Sequence, residues 1–365
     1  MARATATTAT LPDHPGMPAP MPWHTAAWTA AVASGVPSIL VHGAPGIGER
    51  RFALAMAACW LCEAPSGHSP RPCLECPGCK LIEAGNHPDL RVVEPAAMTV
   101  DAEDVDADGN GDEDIVEDKD KGKGKSKAAP SQLIVIGQLR PLNELAQISS
   151  HRGGARVVVI HPADAMNVAA SNALLKMLEE PPAGMRFLLV AHRLQRVSAT
   201  VRSRCMRVPL PMPTLAQAVP WLQAQGVEDA ANALALAGGS PQVALDNADP
   251  VRAALSRAWL RCVTEGSATA LSAARETKEI GAPQVLSWLV QWTHDLARVK
   301  AGAAPRFHPL QATTLQRLTS SMTLRAVTRL HRTLLQRQRW IRHPLNAQLT
   351  LEALWLDYFQ GMGGR

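Results

Sequence analysis

The sequence predicts an α/β domain with a parallel sheet, followed by all-α domains. Three observations predict it. Residues 38–41, 133–136, 156–160 and 187–190 are short apolar runs, mostly β-branched, of the kind that forms strands buried on both faces. Segments at helical spacing lie between them, at 51–61, 142–150 and 168–180, the last stopped by Pro181-Pro182. From Pro211 onward strand signals vanish. Stretches rich in Ala, Leu, Gln and Arg run on, broken near Gly238-Gly239-Ser240-Pro241, Asp249-Pro250, Gly281-Ala282-Pro283 and 302–305. Strands alternating with helices imply a parallel sheet covered on both faces.

The first strand leads into Gly-Ala-Pro-Gly-Ile-Gly-Glu-Arg at residues 43–50. A working phosphate-binding loop needs glycines that turn backbone N–H groups inward, a lysine for the β and γ phosphates, and a hydroxyl for Mg²⁺. Gly43, Gly46 and Gly48 keep the turn, but Glu49 stands in the lysine position and Arg50 in the hydroxyl position. A carboxylate in place of a cation about 4 Å from a phosphate reverses roughly 4 kcal/mol per charge pair at an effective dielectric near 20. The loop is expected to be degenerate, with no ATP bound.

Five of the seven cysteines fall between positions 59 and 79. Cys73, Cys76 and Cys79 are spaced by two residues among Pro72, Pro77 and Gly78, and Cys62 precedes them. Where thiols stay reduced, such spacing favours tetrahedral Zn²⁺ over disulfides. An unligated cysteine-rich loop and a redox role are the alternatives. Five thiols compete for four places. Phe52, Ala55, Met56 and Cys59 follow i, i+3, i+4, i+7, which puts Cys59 on the buried face of its helix and leaves Cys62 as the better ligand. Four protein ligands leave no open position, so this zinc is expected to be structural. Cys205 and Cys262 are isolated and read as small core residues.

A chain of 365 residues, 46% hydrophobic and 19% charged, suits two or three globular domains. Its longest largely apolar stretch, 26–41, is interrupted by Thr29, Ser34, Gly35 and Pro37 and is a poor membrane span. Residues 1–20 are rich in Thr, Ala and Pro without the plan of a signal peptide, so a disordered tail and a cytoplasmic protein are expected. The formal charge of +5 conceals an acidic insertion: residues 101–127 hold 11 Asp or Glu against 5 Lys, leaving the remainder at +11. That insertion has few apolar residues and is expected to be disordered. Asp104, Asp106, Asp108 and Gly109 mimic the opening of a calcium loop, but Ile115 stands where the bidentate glutamate is required.

The segment Asn-Ala-Leu-Leu-Lys-Met-Leu-Glu-Glu-Pro-Pro at 172–182, followed by Ser203-Arg204-Cys205, resembles the clamp-loader branch of the AAA+ family. The resemblance spans residues 21–352, apart from the acidic insertion at 101–127, and implies an AAA+ (RecA-like) module at 21–210 that carries a zinc knuckle at 62–80 and is interrupted by that insertion. A small helical lid at 211–250 and a helical collar domain at 251–365 follow. Motor subunits of this family carry an Asp-Glu pair that holds Mg²⁺ and activates water, where this chain has His161 and Pro162. Their γ-phosphate sensor falls at Ala191 or His192 and their second sensor arginine at Gln242. The implied role is a non-hydrolysing subunit of the replicative DNA polymerase III clamp loader. Its implied partners are gamma or tau motor subunits, the delta subunit, the sliding clamp and, through the complex, primed DNA. Arg204 resembles the arginine finger given in trans to a neighbour's nucleotide, the plainer reading being a surface arginine paired with a helix end. Two other functions compete. One is an active motor of the gamma/tau type, opposed by Glu49, Arg50, His161 and Pro162. The other is a zinc-dependent nucleic-acid-binding module, opposed by Arg71 being the only Lys or Arg between Cys62 and Cys79.

Overall fold

The computed structural model describes residues 19–65, 71–98, 131–147, 149–265, 269–339, 341 and 346–363. The acidic insertion with its calcium-like motif, and all but the last two residues of the predicted tail, lie outside the described residues. The chain divides after Pro211 into two compact units.

The first unit holds a five-stranded parallel sheet: β1 (Ser38–His42), β2 (Leu90–Val93), β3 (Arg156–Ile160), β4 (Met185–Ala191) and β5 (Met206–Pro209), in the order β2-β3-β4-β1-β5. Register pairs Leu40 with Leu189 and Val158 with Phe187. Strand side chains alternate between faces. Ile39, Val41, Val157, Val159, Leu188 and Val190 face one core, while Leu40, Val158, Ile160, Phe187 and Leu189 face the other. Among the described residues, six helices belong to this unit: α1 (Thr25–Ser34), α2 (Glu49–Leu61), α3 (Pro77–Glu83), α4 (Ile136–Gln147), α5 (Val168–Glu179) and α6 (Ala199–Arg204). Phe52 and Met56 of α2 fill the first core, and Leu139 and Leu142 of α4 with Leu174 of α5 fill the second.

The run at 133–136 does not form the expected strand. Only Ile134 is buried, making an isolated parallel bridge to Met166, while Leu133, Val135 and Ile136 are exposed and Ile136 begins α4. Both sides of β3 are taken by β2 and β4, and the run joins neither outer strand, making only the Ile134–Met166 bridge before it passes into α4.

The second unit is helical among its described residues. A small core gathers Ala218 and Leu222 of α7 (Leu215–Ala224), Leu234 of α8 (Ala230–Leu236) and Ala244 of α9 (Pro241–Asn247). A separate, larger core is built by α10 (Pro250–Thr264), α11 (Ala270–Glu276), α12 (Ala282–Lys300), α13 (Ala312–Ser320), α14 (Leu324–Arg337) and α15 (Ala347–Gly361). Among the described residues, no helix is long and apolar enough to cross a membrane.

The larger core contains satisfied polar groups. Trp292 Nε1 donates to Tyr358 Oη (3.0 Å) and Trp355 Nε1 to Thr277 Oγ1 (2.9 Å). Asp295, fully buried, accepts the backbone N–H groups of Arg306, Phe307 and His308 at 2.7–2.9 Å and lies 3.0 Å from His308 Nδ1. Burial pushes its carboxyl up, but His308 and these amides reverse that and hold it below the usual carboxylate range. Its stabilisation is therefore complete above the unfolded value of about 3.9 and is lost as pH falls through the lower folded value. Asp295→Ala strands those donors and should cost about 3 kcal/mol at neutral pH. Urea unfolding of both proteins should show the gap between them closing as pH falls through that lower folded value.

Candidate functional site

The C-terminal edge of the sheet is the place where open α/β folds bind ligands. Here β1 turns through residues 43–48 into α2. Gly46 and Gly48 adopt φ of 80° and 100°, which side chains with a Cβ rarely tolerate. A Cβ on Gly43 would stand 2.7 Å from Ile47 Cδ1, and one on Gly48 would collide with Met21. The chain before the loop also clasps it, since Trp23 Nε1 donates to Ile47 O at 3.0 Å. The turn of a phosphate-binding loop is thus intact.

Its seat is taken. Glu49, the first residue of α2 and only 4% exposed, folds its carboxylate back into the loop. Gly46 N–H donates to Oε1 (2.9 Å) and Ile47 N–H to Oε2 (3.0 Å), so backbone donors that cradle a phosphate elsewhere hold this chain's own anion. Burial pushes the Glu49 carboxyl up. The His192 ring and the loop amides more than reverse this, and its pKa lies below the usual value. Glu49 is therefore ionised at neutral pH.

Arg50 turns away from the loop. Its guanidinium grips Glu94, just after β2, with Nε 2.7 Å from Oε1 and Nη2 3.3 Å from Oε2. His161, at the end of β3, presents Nδ1 to the same Oε1 at 2.9 Å. Burial opposes ionisation of Glu94, but His161 and Arg50 hold its carboxyl down at about 2. His192 follows β4, its backbone N–H donating to Asp164 Oδ1 (2.8 Å) and its Nε2 lying 2.9 Å from Glu49 Oε1. The positions read as altered Mg²⁺ and sensor residues, His161 and His192, thus converge on Glu49. Gln242 lies on α9 in the second unit, bonded to Asp246.

The cysteines form a separate constellation. The sulfurs of Cys62, Cys73, Cys76 and Cys79 all lie within 4.8 Å of one another, with Cys73 and Cys79 at 4.0 Å. Cys62 caps the end of α2, and Cys76 caps the start of α3 by accepting Cys79 N–H. Backbone N–H groups of Glu63, Cys73, Cys76 and Cys79 point at sulfurs over 3.3–3.4 Å, an arrangement that favours thiolates. Ionisation without a cation is frustrated: burial pushes Cys62 and Cys79 up, while amides of Glu75 and Cys76 draw Cys73 down against burial. Four sulfurs can all be thiolates only around a positive charge, and this donor set fits tetrahedral zinc. Cys59 stays outside on the buried face of α2, its thiol pushed up to about 11 by burial. Cys205 and Cys262 are buried apart from the cluster, burial raising each to about 12.

Arg204 ends α6. Its Nη1 donates to Thr200 O (3.0 Å), and Nη2 forms an ion pair with Glu179, the last residue of α5. Its side chain remains 30% exposed.

A family model described as DNA polymerase III, delta subunit, matches residues 30–214, half of the chain, and its C-terminal counterpart matches residues 252–358. The DNA polymerase III subunit delta' of Pseudomonas aeruginosa is 31% identical over 286 residues, covering 76% of this chain and 77% of that protein. The chain belongs to the delta-prime subunit family of DNA polymerase III. The Escherichia coli member is 32% identical over 275 residues, covering 73% of this chain and 71% of its own. The similarity extends more weakly to DNA polymerase III subunit tau of Salmonella typhimurium, 28% identical over 171 residues, 47% of this chain and 21% of that protein. In this delta-prime family member, sequence reasoning missed Glu94, Asp164 and Met21. An acid directly after Leu-Arg-Val-Val at 90–93 was the available signal for Glu94, had that run been read as a strand.

Proposed function

We propose that this chain is a non-hydrolysing clamp-loader subunit that assists ATP-dependent loading of the sliding clamp onto primed DNA. The carrying observation is the Glu49 carboxylate seated on the Gly46 and Ile47 amides. A nucleotide would have to displace a buried anion from its hydrogen bonds and then bind without the lysine or the Mg²⁺ hydroxyl. Arg50 and His161, committed to Glu94, supply neither. In this proposal the chain sits in a ring with gamma or tau motors and the delta subunit, in the cytoplasm. The helices of residues 211–250 act as a lid and those of 251–365 as the collar that joins the ring. The cysteine cluster holds one structural Zn²⁺, and Arg204 serves the nucleotide of an adjacent motor.

Isothermal titration of the isolated chain with ATP and Mg²⁺ should show no binding in the micromolar range. Micromolar binding with turnover would instead favour a gamma/tau-type motor.

For the zinc, the cysteines should retain one equivalent per chain. Cys76→Ser should lose it and Cys59→Ser should keep it, measured by metal analysis after gel filtration. Chelation should open residues 71–83 to hydrogen exchange before the sheet unfolds.

Arginine fingers supply about 10³ to 10⁵ in rate where they act, through a planar fork that an ammonium lacks. Arg204→Ala should therefore leave ring assembly intact but depress clamp- and DNA-stimulated ATP hydrolysis at the one interface it serves, and Arg204→Lys should rescue poorly. Unchanged hydrolysis in an intact Arg204→Ala ring would return this arginine to a surface pair with Glu179.

A further inference from the structure

We infer that Glu49, His161 and His192 form a second divalent-cation site, of the zinc class, at the C-terminal edge of the sheet. One ligating atom from each lies within 4.8 Å of the others. Glu49 and His161 side chains are each 5% exposed, and that of His192 is 20% exposed. Two imidazoles and one carboxylate are a donor set for Zn²⁺ with a fourth position left for water.

The nitrogens themselves point to a ligand. His192 Nε2 is buried, yet its approach to Glu49 Oε1 lacks the alignment of a hydrogen bond. His161 engages Glu94 through Nδ1, and no hydrogen bond to its Nε2 is seen among the described residues. That pairing is the usual second support of a metal-bound histidine: a carboxylate fixes the ring and its tautomer, leaving the opposite nitrogen's lone pair for the ion. Asp164 restrains His192 through the backbone, and the Gly46 and Ile47 amides orient Glu49. The groups bonded to the trio bring three carboxylates (Glu49, Glu94, Asp164) against one guanidinium (Arg50), a net charge of −2. His24, buried beside Glu49, adds no charge at neutral pH, because burial lowers its pKa to about 4. A divalent cation balances the site and an anion does not. Such an ion would tie the start of α2 to the ends of β3 and β4.

This site goes beyond the proposed role and is tested separately from it. The full chain, with zinc held at the cysteines, is titrated with Co²⁺ and followed by its visible d–d absorption and the near-ultraviolet band of cobalt–thiolate charge transfer. One further equivalent should bind with d–d bands and no thiolate band, and should raise the thermal midpoint. His161→Ala and His192→Ala should abolish it. Glu94→Gln, which removes only the support of His161, should weaken it about 10- to 100-fold. Cys76→Ser should leave it in place while losing the thiolate-bound metal. Absence of a second equivalent in the wild-type chain, or its persistence in the folded His192→Ala variant, would overturn the inference. Neither result bears on the proposed role, which ATP titration reads independently.

Discussion

The constraint on which the first unit depends is the carboxylate of Glu49 on the amides of its own loop. A glycine-rich turn that gathers N–H groups around a point is unfavourable when empty, because each buried donor lacks an acceptor. In a nucleotide-binding protein the ligand supplies the acceptor. Here residue 49 supplies it permanently, with Gly46 and Ile47 as donors. The loop therefore keeps its shape without a ligand, and α2 leaves the sheet at a fixed angle. The cysteine excursion inherits that placement, because Cys62 caps the far end of the same helix. His192 Nε2 lies 2.9 Å from Glu49 Oε1 without forming a hydrogen bond, while Arg50 and His161 are hydrogen-bonded to Glu94. Hydrogen bonds to a charged partner contribute roughly 1.5–3 kcal/mol each, enough to hold the edge of the sheet in one arrangement.

The legible parts of the fold were those whose burial is nearly complete. Residues 38–41, 156–160 and 187–190 became the central strands because a strand covered on both faces must be apolar throughout. The two strands that escaped notice are the sheet's edges. In β2, Arg91 and Val92 are exposed, and β5 carries Arg207 and Pro209, so neither shows a continuous apolar run. The opposite error, at 133–136, has the complementary cause: local propensity suited a strand, but the run pairs only through the Ile134–Met166 bridge, outside the sheet, and passes into α4. The altered lysine and hydroxyl positions of the loop were legible from Glu49 and Arg50 as residue types. That the glutamate would occupy the seat, and that Arg50 would find Glu94 forty-four positions away, are facts of tertiary placement that no local pattern encodes.

The cysteine cluster and the Arg204 segment differ in what they require. Close spacing in sequence confines three sulfurs to one turn and an adjoining helix, so convergence followed from the chain's short reach, and periodicity along α2 separated Cys59 from Cys62. Arg204 rested on a motif whose chemistry involves another chain. Its present partner, Glu179, comes from the same resemblance-bearing segment at 172–182, at the end of the neighbouring helix. The ion pair sits on partly exposed side chains and is worth little by itself, about 0–1 kcal/mol, so it orients the guanidinium without holding it against a stronger anion. A γ-phosphate would be such an anion.

A ligand can shift a protein between states only by its difference in affinity for them. Under the proposed role, a seat filled by its own carboxylate would offer a nucleotide no such difference, and ATP would not switch this domain through the degenerate loop. In the proposed ring, neighbouring motors would change state around a subunit that does not. Arg204 would then be presented from a fixed frame, its position set by α6 and the Glu179 pair and not by a nucleotide bound to its own chain. That arrangement would preorganise the proposed finger for an interface whose other side moves. In the proposed role, the residues at the altered loop and the residue that would serve hydrolysis in trans would belong to one design: Glu49 would remove the switch, and that removal would let Arg204 act as a constant.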